Sequence, residues 1–170
     1  PYDRFRDRLM LPIHDVRGRV IAFGGRILSA KEGAPKYLNS PETPLFDKGR
    51  TLYNIHRASA AARKADRIIV VEGYMDVIAL ANAGLAEAVA PLGTALTENH
   101  IAELWRHAPS PILCFDGDAA GQRAVRRAIE RSLPLLHPGH TLRIAWLPSR
   151  LDPDDLIKAK GVAAFEQVIE

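Results

Sequence analysis

Residues 111–133 read "PILCFDGDAAGQRAVRRAIERSL". A short run that is apolar on both faces, "PILCF", gives way to two aspartates one residue apart and then to helical spacing. An apolar run of this length followed by a helix is the pattern of a strand buried between two helix layers. If the strand continued, Asp116 and Asp118 would point the same way and repel unless a proton or cation lay between them. The alternative is that Asp118 caps the helix starting near Ala119 and Asp116 is a solvated loop residue. The motif alone leaves both open.

The pattern repeats outward from this stretch. "RIIVV" precedes the helical "YMDVIALANAG", "EAVA" precedes "TENHIAELWRHA" with Thr97 as N-cap, and "TLRIAWL" precedes "DPDDLIKAKG". Strand and helix alternate from residue 67 to 170, which predicts an α/β fold: a Rossmann-like parallel sheet flanked by helices. The first 66 residues differ. "RLMLPIHD" and "GRVIAFGGRIL" read as strands joined by a turn at "VRGR". "SAKEGAPK" reads as a loop, "YLNSPETPLFDKGRTLYN" as irregular with at most a short strand at its start, and "IHRASAAARKA" as a helix. These elements predict a small mixed α+β unit over 1–66, ahead of the parallel-sheet domain over 67–170.

In a parallel sheet the strand C-termini share one edge, where ligands bind. Glu72 and Asp76 follow the first of these strands, Asp116 and Asp118 the third, Asp152 and Asp154 the fourth. Six carboxylates on one edge call for cations. Oxygen ligands suit Mg²⁺ or Mn²⁺, whereas zinc would need His or Cys. The chain has one cysteine, Cys114, inside an apolar run where it reads as core, so neither a disulfide nor a multi-cysteine zinc site is open to it. The histidines, His14, His56, His100, His107, His137 and His140, fall mainly in loops and on polar helix faces, away from the acids. Without a Gly-rich dinucleotide motif, metal-dependent phosphate chemistry is the better reading, with two metals activating a hydroxyl and stabilising a leaving oxygen.

Charge divides the same way. Residues 1–66 carry 13 Lys+Arg against 7 Asp+Glu, and residues 67–170 carry 10 against 13. The basic half is suited to a polyanion and the acidic half to cations. Gly24 and Gly25 before Arg26 would let a phosphate approach the backbone, Lys36 and Tyr37 pair a cation with a stacking ring, and Lys48–Gly49–Arg50 offers a second phosphate clamp. The arginines of "QRAVRRAIER" read as a solvated outer face, and Trp105 and Trp146 as core. No apolar stretch is long enough for a membrane span, no signal peptide is visible, and the lone cysteine suits a reducing cytoplasm. The chain starts at Pro1 without methionine and ends inside a helical pattern, which reads as part of a longer protein.

"VVEGYMDVIAL", "FDGDAAGQRA" and "DPDD" resemble the signature of the Toprim domain of bacterial primases, topoisomerases and some nucleases. "RFRDRLMLPIHDVRGRVIAFGGRIL" followed by "PKYLNSPETPLFDKGRTLYN" is similar to the segment preceding Toprim in DnaG-type bacterial replicative primases. The resemblance implies template-directed nucleotidyl transfer from ribonucleoside triphosphates, making short RNA primers on single-stranded DNA. It implies Glu72 as catalytic acid/base or metal ligand; Asp76, Asp116, Asp118, Asp152 and Asp154 at a centre holding two or more Mg²⁺ or Mn²⁺ ions; and Arg26, Lys36, Tyr37, Asn39 and Lys48 on a ridge for template and nucleotide. It also implies parts outside this chain: a zinc-binding domain, further core residues, and C-terminal helices that meet the replicative helicase. The loop before Lys36 is slightly longer than the family pattern. A Toprim nuclease or topoisomerase-like cleaver and a non-catalytic nucleic-acid-binding module are the competing functions; "KYLNSPET" favours the primase.

Overall fold

The computed structural model describes residues 3–29, 33–148 and 151–170. The centre of the long loop before Lys36 lies outside the described residues. The chain opens with an antiparallel hairpin, β1 (Arg8–His14) and β2 (Val20–Ile27), and β3 (Tyr37–Asn39) adds to β2. The turn is closed by the Gly18 N–H donating to the Asp15 carbonyl at 2.9 Å. Asp15 also accepts from the backbone N–H groups of Arg17 and Arg19, each at 2.9 Å. The inner face of this sheet carries Leu11, Ile13 and Ala22, all buried.

The remainder alternates as the apolar runs predict. It comprises α1 (Ile55–Ala65), β4 (Ile69–Val70), α2 (Tyr74–Asn82), β5 (Ala88–Val89), α3 (Glu98–Trp105), β6 (Ile112–Phe115), α4 (Ala119–Ser132), β7 (Arg143–Trp146), α5 (Pro153–Lys160) and α6 (Val162–Ile169). The four strands are parallel in the order β5-β4-β6-β7. Side chains alternate between two cores. Val70, Leu113 and Phe115 pack with Ile55, Leu104, Val125 and Ala128 on the side of α1, α3 and α4. Ile69, Ile112 and Cys114 pack with Val77, Leu80, Leu156 and Phe165 on the side of α2, α5 and α6. Burying an apolar side chain of this size stabilises by about 1.5–3 kcal/mol. No helix among the described residues is long and apolar enough to cross a membrane.

A third core joins the halves: Leu11, Ile13, Ala22 and Phe46 pack against Tyr74 of α2 and Leu92 after β5. Here Gly24 has its use. A Cβ on it would stand 2.6 Å from the Tyr74 hydroxyl oxygen, so only glycine lets the tyrosine reach the sheet. Gly24 and Gly25 are both buried, and a Cβ on Gly25 would meet Phe5 and Arg8. Their smallness therefore serves packing between strand and side chain rather than approach by a phosphate.

Two further expectations change. Trp146 is 61% exposed rather than core, because β7 is an edge strand; Trp105 is half-buried, its indole N–H donating to the Thr141 carbonyl at 2.9 Å. His100 lies in the core rather than on a polar face, its Nδ1 accepting from the Thr97 N–H at 3.2 Å in a reciprocal cap of α3.

Candidate active site

Strand β6 stops at Phe115, so the two aspartates belong to the turn into α4 and not to the strand. Asp118 is the N-cap of α4, its Oδ1 accepting from the N–H groups of Ala120 and Gly121, both at 2.8 Å. Asp116 is the less solvated of the pair. Its backbone N–H donates to Glu72 Oε1 at 3.0 Å, which ties the end of β6 to the end of β4. Gly121 makes this closeness possible: a Cβ there would lie 2.1 Å from the Asp116 carbonyl oxygen and 3.0 Å from Glu72 Oε1.

The other acids are placed by the same device. Asp76 Oδ2 accepts from the Gly73 N–H at 3.1 Å at the start of α2. Asp152 caps α5, accepting from the Asp155 N–H at 2.7 Å, with Pro153 in the first turn. Three helix N-termini therefore point at one edge, and their partial positive charge offsets some of the repulsion. The offset is incomplete. Burial, then the nearby Asp116 and Asp152, push the Asp76 carboxyl up to about 7. Burial, then Glu72, push Asp116 up to about 6, and Glu72 is raised mainly by its own burial.

These carboxylates face a basic wall. A cleft of about 380 Å³ has Glu72, Asp76, Asp116, Asp152 and Asp154 on the parallel-sheet side and Arg26, Lys36, Tyr37 and Asn39 on the antiparallel side. Tyr37 senses both walls: burial raises its phenol, the charge of Arg26 lowers it, and Asp76 and Asp152 raise it further. Lys36 Nζ stands 5.7 Å from the Tyr37 ring centre. Asn39 is held by two bonds, its Nδ2 donating to the Leu92 carbonyl at 3.0 Å and its Oδ1 accepting from the Tyr74 hydroxyl. It thus fixes the basic wall to the acidic one.

Not every predicted residue lines this cleft. Asp118 faces an adjoining pocket of about 100 Å³ shared with Asp116, Asp152 and Asp155. Asp155 was not singled out from the sequence, although it ends the quoted "DPDD"; a third acid within one turn of Asp152 was the available signal. Lys48 does not line the cleft, and its turn is folded around Asp47, which bonds the Gly49 N–H at 2.7 Å and pairs with Arg50 at 3.6 Å. Asp154 is within the cleft but is paired with Lys158.

The donor set fits a hard divalent cation. Asp116 Oδ1 is buried without a hydrogen-bond partner among the described residues, beside raised carboxyls that lack a cationic partner of their own. The side chains share a rim without closing into a shell: among the described residues no three acidic, His or Cys groups are drawn together as a ready ligand set.

Comparison with known proteins agrees with this architecture. Residues 1–59 match the DNA primase catalytic core, N-terminal domain, and residues 66–145 match the Toprim domain. DNA primase of Pseudomonas putida is 57% identical over 164 residues, covering 96% of this chain. That of Escherichia coli K12 is 52% identical over 169 residues, covering 99%. The chain belongs to the DnaG-type primase family. Its structure follows the crystal structure of a DNA primase domain from Pseudomonas aeruginosa with a TM-score of 0.93 at 56% identity, over 99% of this chain and 52% of that one. It follows the E. coli primase catalytic core with a TM-score of 0.92 at 51% identity, over 99% and 53%. A DnaG primase catalytic domain bound to single-stranded DNA matches with a TM-score of 0.91. The chain spans 24% of the P. putida primase and 29% of the E. coli one.

Proposed function

We propose that this chain forms the central part of a primase active site, where a template strand and ribonucleoside triphosphates meet for primer synthesis. The observation that carries the reading is the single cleft with Arg26, Lys36 and Tyr37 on one wall and Glu72, Asp76, Asp116 and Asp152 on the other. The solved relative bound to single-stranded DNA supports it for the template. In this reading residues 1–66 handle phosphate and base, and residues 67–170 carry the chemistry.

Glu72, Asp76, Asp116 and Asp152 would hold Mg²⁺ or Mn²⁺ from the cleft, with Asp118 and Asp155 completing the set from the adjoining pocket. Bound divalent ions supply neutralisation of phosphate charge and activation of a hydroxyl. The chain's own residues do the rest. Lys36 and Arg26 counter the triphosphate and template charge, and the Tyr37 ring offers a face for a base. Asn39 keeps that wall in register with the acids. The bond formed is between a 3′-hydroxyl oxygen and the α-phosphorus, with pyrophosphate leaving.

The test uses the intact primase. Ribonucleotide incorporation on single-stranded DNA is followed beside cleavage of labelled DNA. Incorporation that requires divalent metal and is lost in Glu72→Gln supports the reading. A wild-type protein that cuts DNA and extends nothing would replace it with the nuclease.

A further inference from the structure

We propose that the outer face of α4 together with Trp146 forms a second single-strand nucleic-acid track, which leads away from the acidic edge and is separate from the cleft. The proposal rests on the reading above, in which a nucleic-acid strand reaches that edge.

The first observation is charge. Residues 67–170 are net acidic, yet four of their 10 Lys+Arg residues, Arg123, Arg126, Arg127 and Arg131, lie on α4. Arg131 turns inward to the Leu96 carbonyl. The other three are exposed, and among the described residues none of them has an ion-pair or hydrogen-bond partner. Their spacing of three and four residues puts them on one helix face, with Glu130 as the lone acid there. Arg123 and Arg127 are a like-charged i,i+4 pair, which works against the helix rather than for it. A solvated helix face ordinarily mixes its signs; this one is arranged for a polyanion.

The second observation is independent. Trp146 is the last residue of β7 and is 61% exposed. It pairs in register with Phe115, the residue from which the chain turns into α4. Ile144, two residues earlier, packs with Val125 and Ala128 of α4, while Ala145 faces the opposite core. Strand alternation therefore puts the indole on the α4 side of the sheet. It stands at the strand end where Asp118 caps that helix. Arg123 is four residues past the helix start, roughly 6 Å along its axis. The exposed indole at the end of β7 and the arginine face of the helix that begins at the same sheet edge supply the two parts of a single-strand site, a base-stacking platform and phosphate clamps. Stacking on Trp146 needs an unpaired base, which makes the occupant a single strand.

The test measures binding of labelled oligodeoxynucleotide and oligoribonucleotide to the intact primase by fluorescence anisotropy across a salt series. The triple substitution Arg123→Ala, Arg126→Ala, Arg127→Ala should make the log–log salt slope shallower by about 2, three contacts at about 0.7 each. Trp146→Ala should weaken binding about 5- to 150-fold, and Trp146→Phe should restore most of it. A larger effect on DNA assigns the track to the template, and a larger effect on RNA assigns it to the product; either supports the proposal. Because these side chains are exposed, melting temperature and Mn²⁺ affinity should hold. Unchanged slope and affinity would overturn the track. So would variants that bind nucleic acid normally but lose an acidic protein partner, or a Trp146→Ala loss that Phe does not restore. Failure of the primase reading itself would show separately, as a wild-type protein that incorporates no ribonucleotide.

Discussion

The backbone N–H of Asp116 donates to Glu72 Oε1 at 3.0 Å, so the carboxylate at the end of β4 is aimed by the backbone at the end of β6. Glu72 is thereby both a charge and a strut. Glu72→Gln keeps an oxygen that can accept the Asp116 N–H and removes only the charge. We expect it to fold, to retain single-stranded DNA binding in the intact primase, and to lose primer synthesis and much of its Mn²⁺ affinity. Calorimetric titration with Mn²⁺ and a ribonucleotide incorporation assay read the two effects. Normal synthesis by this variant would show that the acidic edge is not the catalytic centre.

The raised carboxyls make the metal-free protein sensitive to pH. Asp76 has an ordinary value of 3.8 and stands at about 7 in the fold, and Asp116 goes from 3.8 to about 6. Between those limits the folded chain holds protons that the unfolded chain has released. Stability should therefore fall as pH rises from about 4 to about 7, and level off above. Asp76→Asn, which retains an acceptor for the Gly73 N–H, should raise the melting temperature at pH 8 and flatten the slope. Saturating Mn²⁺ should reverse the trend by favouring the ionised forms. Melting curves across pH, with and without Mn²⁺, decide it.

Gly121→Ala places a methyl 2.1 Å from the Asp116 carbonyl oxygen and 3.0 Å from Glu72 Oε1. Backbone cannot yield there as a surface side chain would, so we expect a loss of roughly 1–3 kcal/mol by denaturant unfolding. Metal affinity should fall with it, because α4 must move away from the acid edge. Gly139 offers a control with open space around its Cβ position, although its φ of +89° adds strain of its own.

Tyr74 is buried and its hydroxyl donates to Asn39 Oδ1 across the seam between the two sheets. Tyr74→Phe should cost about 0.5–1.5 kcal/mol of stability. Its larger effect should be on the register of the two walls, read as a raised KM for nucleotide in the intact primase. An unchanged KM would reduce this bond to a packing detail.

The basic wall should bind single-stranded DNA weakly and with steep salt dependence. Lys36→Ala and Arg26→Ala should each make the log–log salt slope shallower by about 0.7. Lys48, which does not line the cleft, should leave the slope unchanged when replaced by alanine. Anisotropy titrations at several salt concentrations separate the three, and a slope that moves only for Lys48 would relocate the ridge.

The strand–helix alternation from residue 67, the hairpin and its turn, and the gathering of Glu72, Asp76, Asp116, Asp152 and Asp154 at one edge were legible in the sequence. Each depends on local periodicity together with the rule that parallel strands end on one side. The capping reading of Asp118 was legible too, because a cap involves only the next three residues. What stayed hidden depends on neighbours distant in sequence. Trp146 is exposed because β7 took the edge position, and strand order is not written in any one strand. Gly24 reads like a phosphate glycine until Tyr74, fifty residues away, is seen to fill the space above it. Asn39 bonds Tyr74 and Leu92, Arg26 shares a cleft with Asp152, and Lys48 lies outside it. The sequence by itself determined which groups carry charge and which edge of the sheet receives the acids, since period and sign are local properties. Only the tertiary structure decided which basic residues face those acids, because that follows from how the third apolar core docks one sheet against the other.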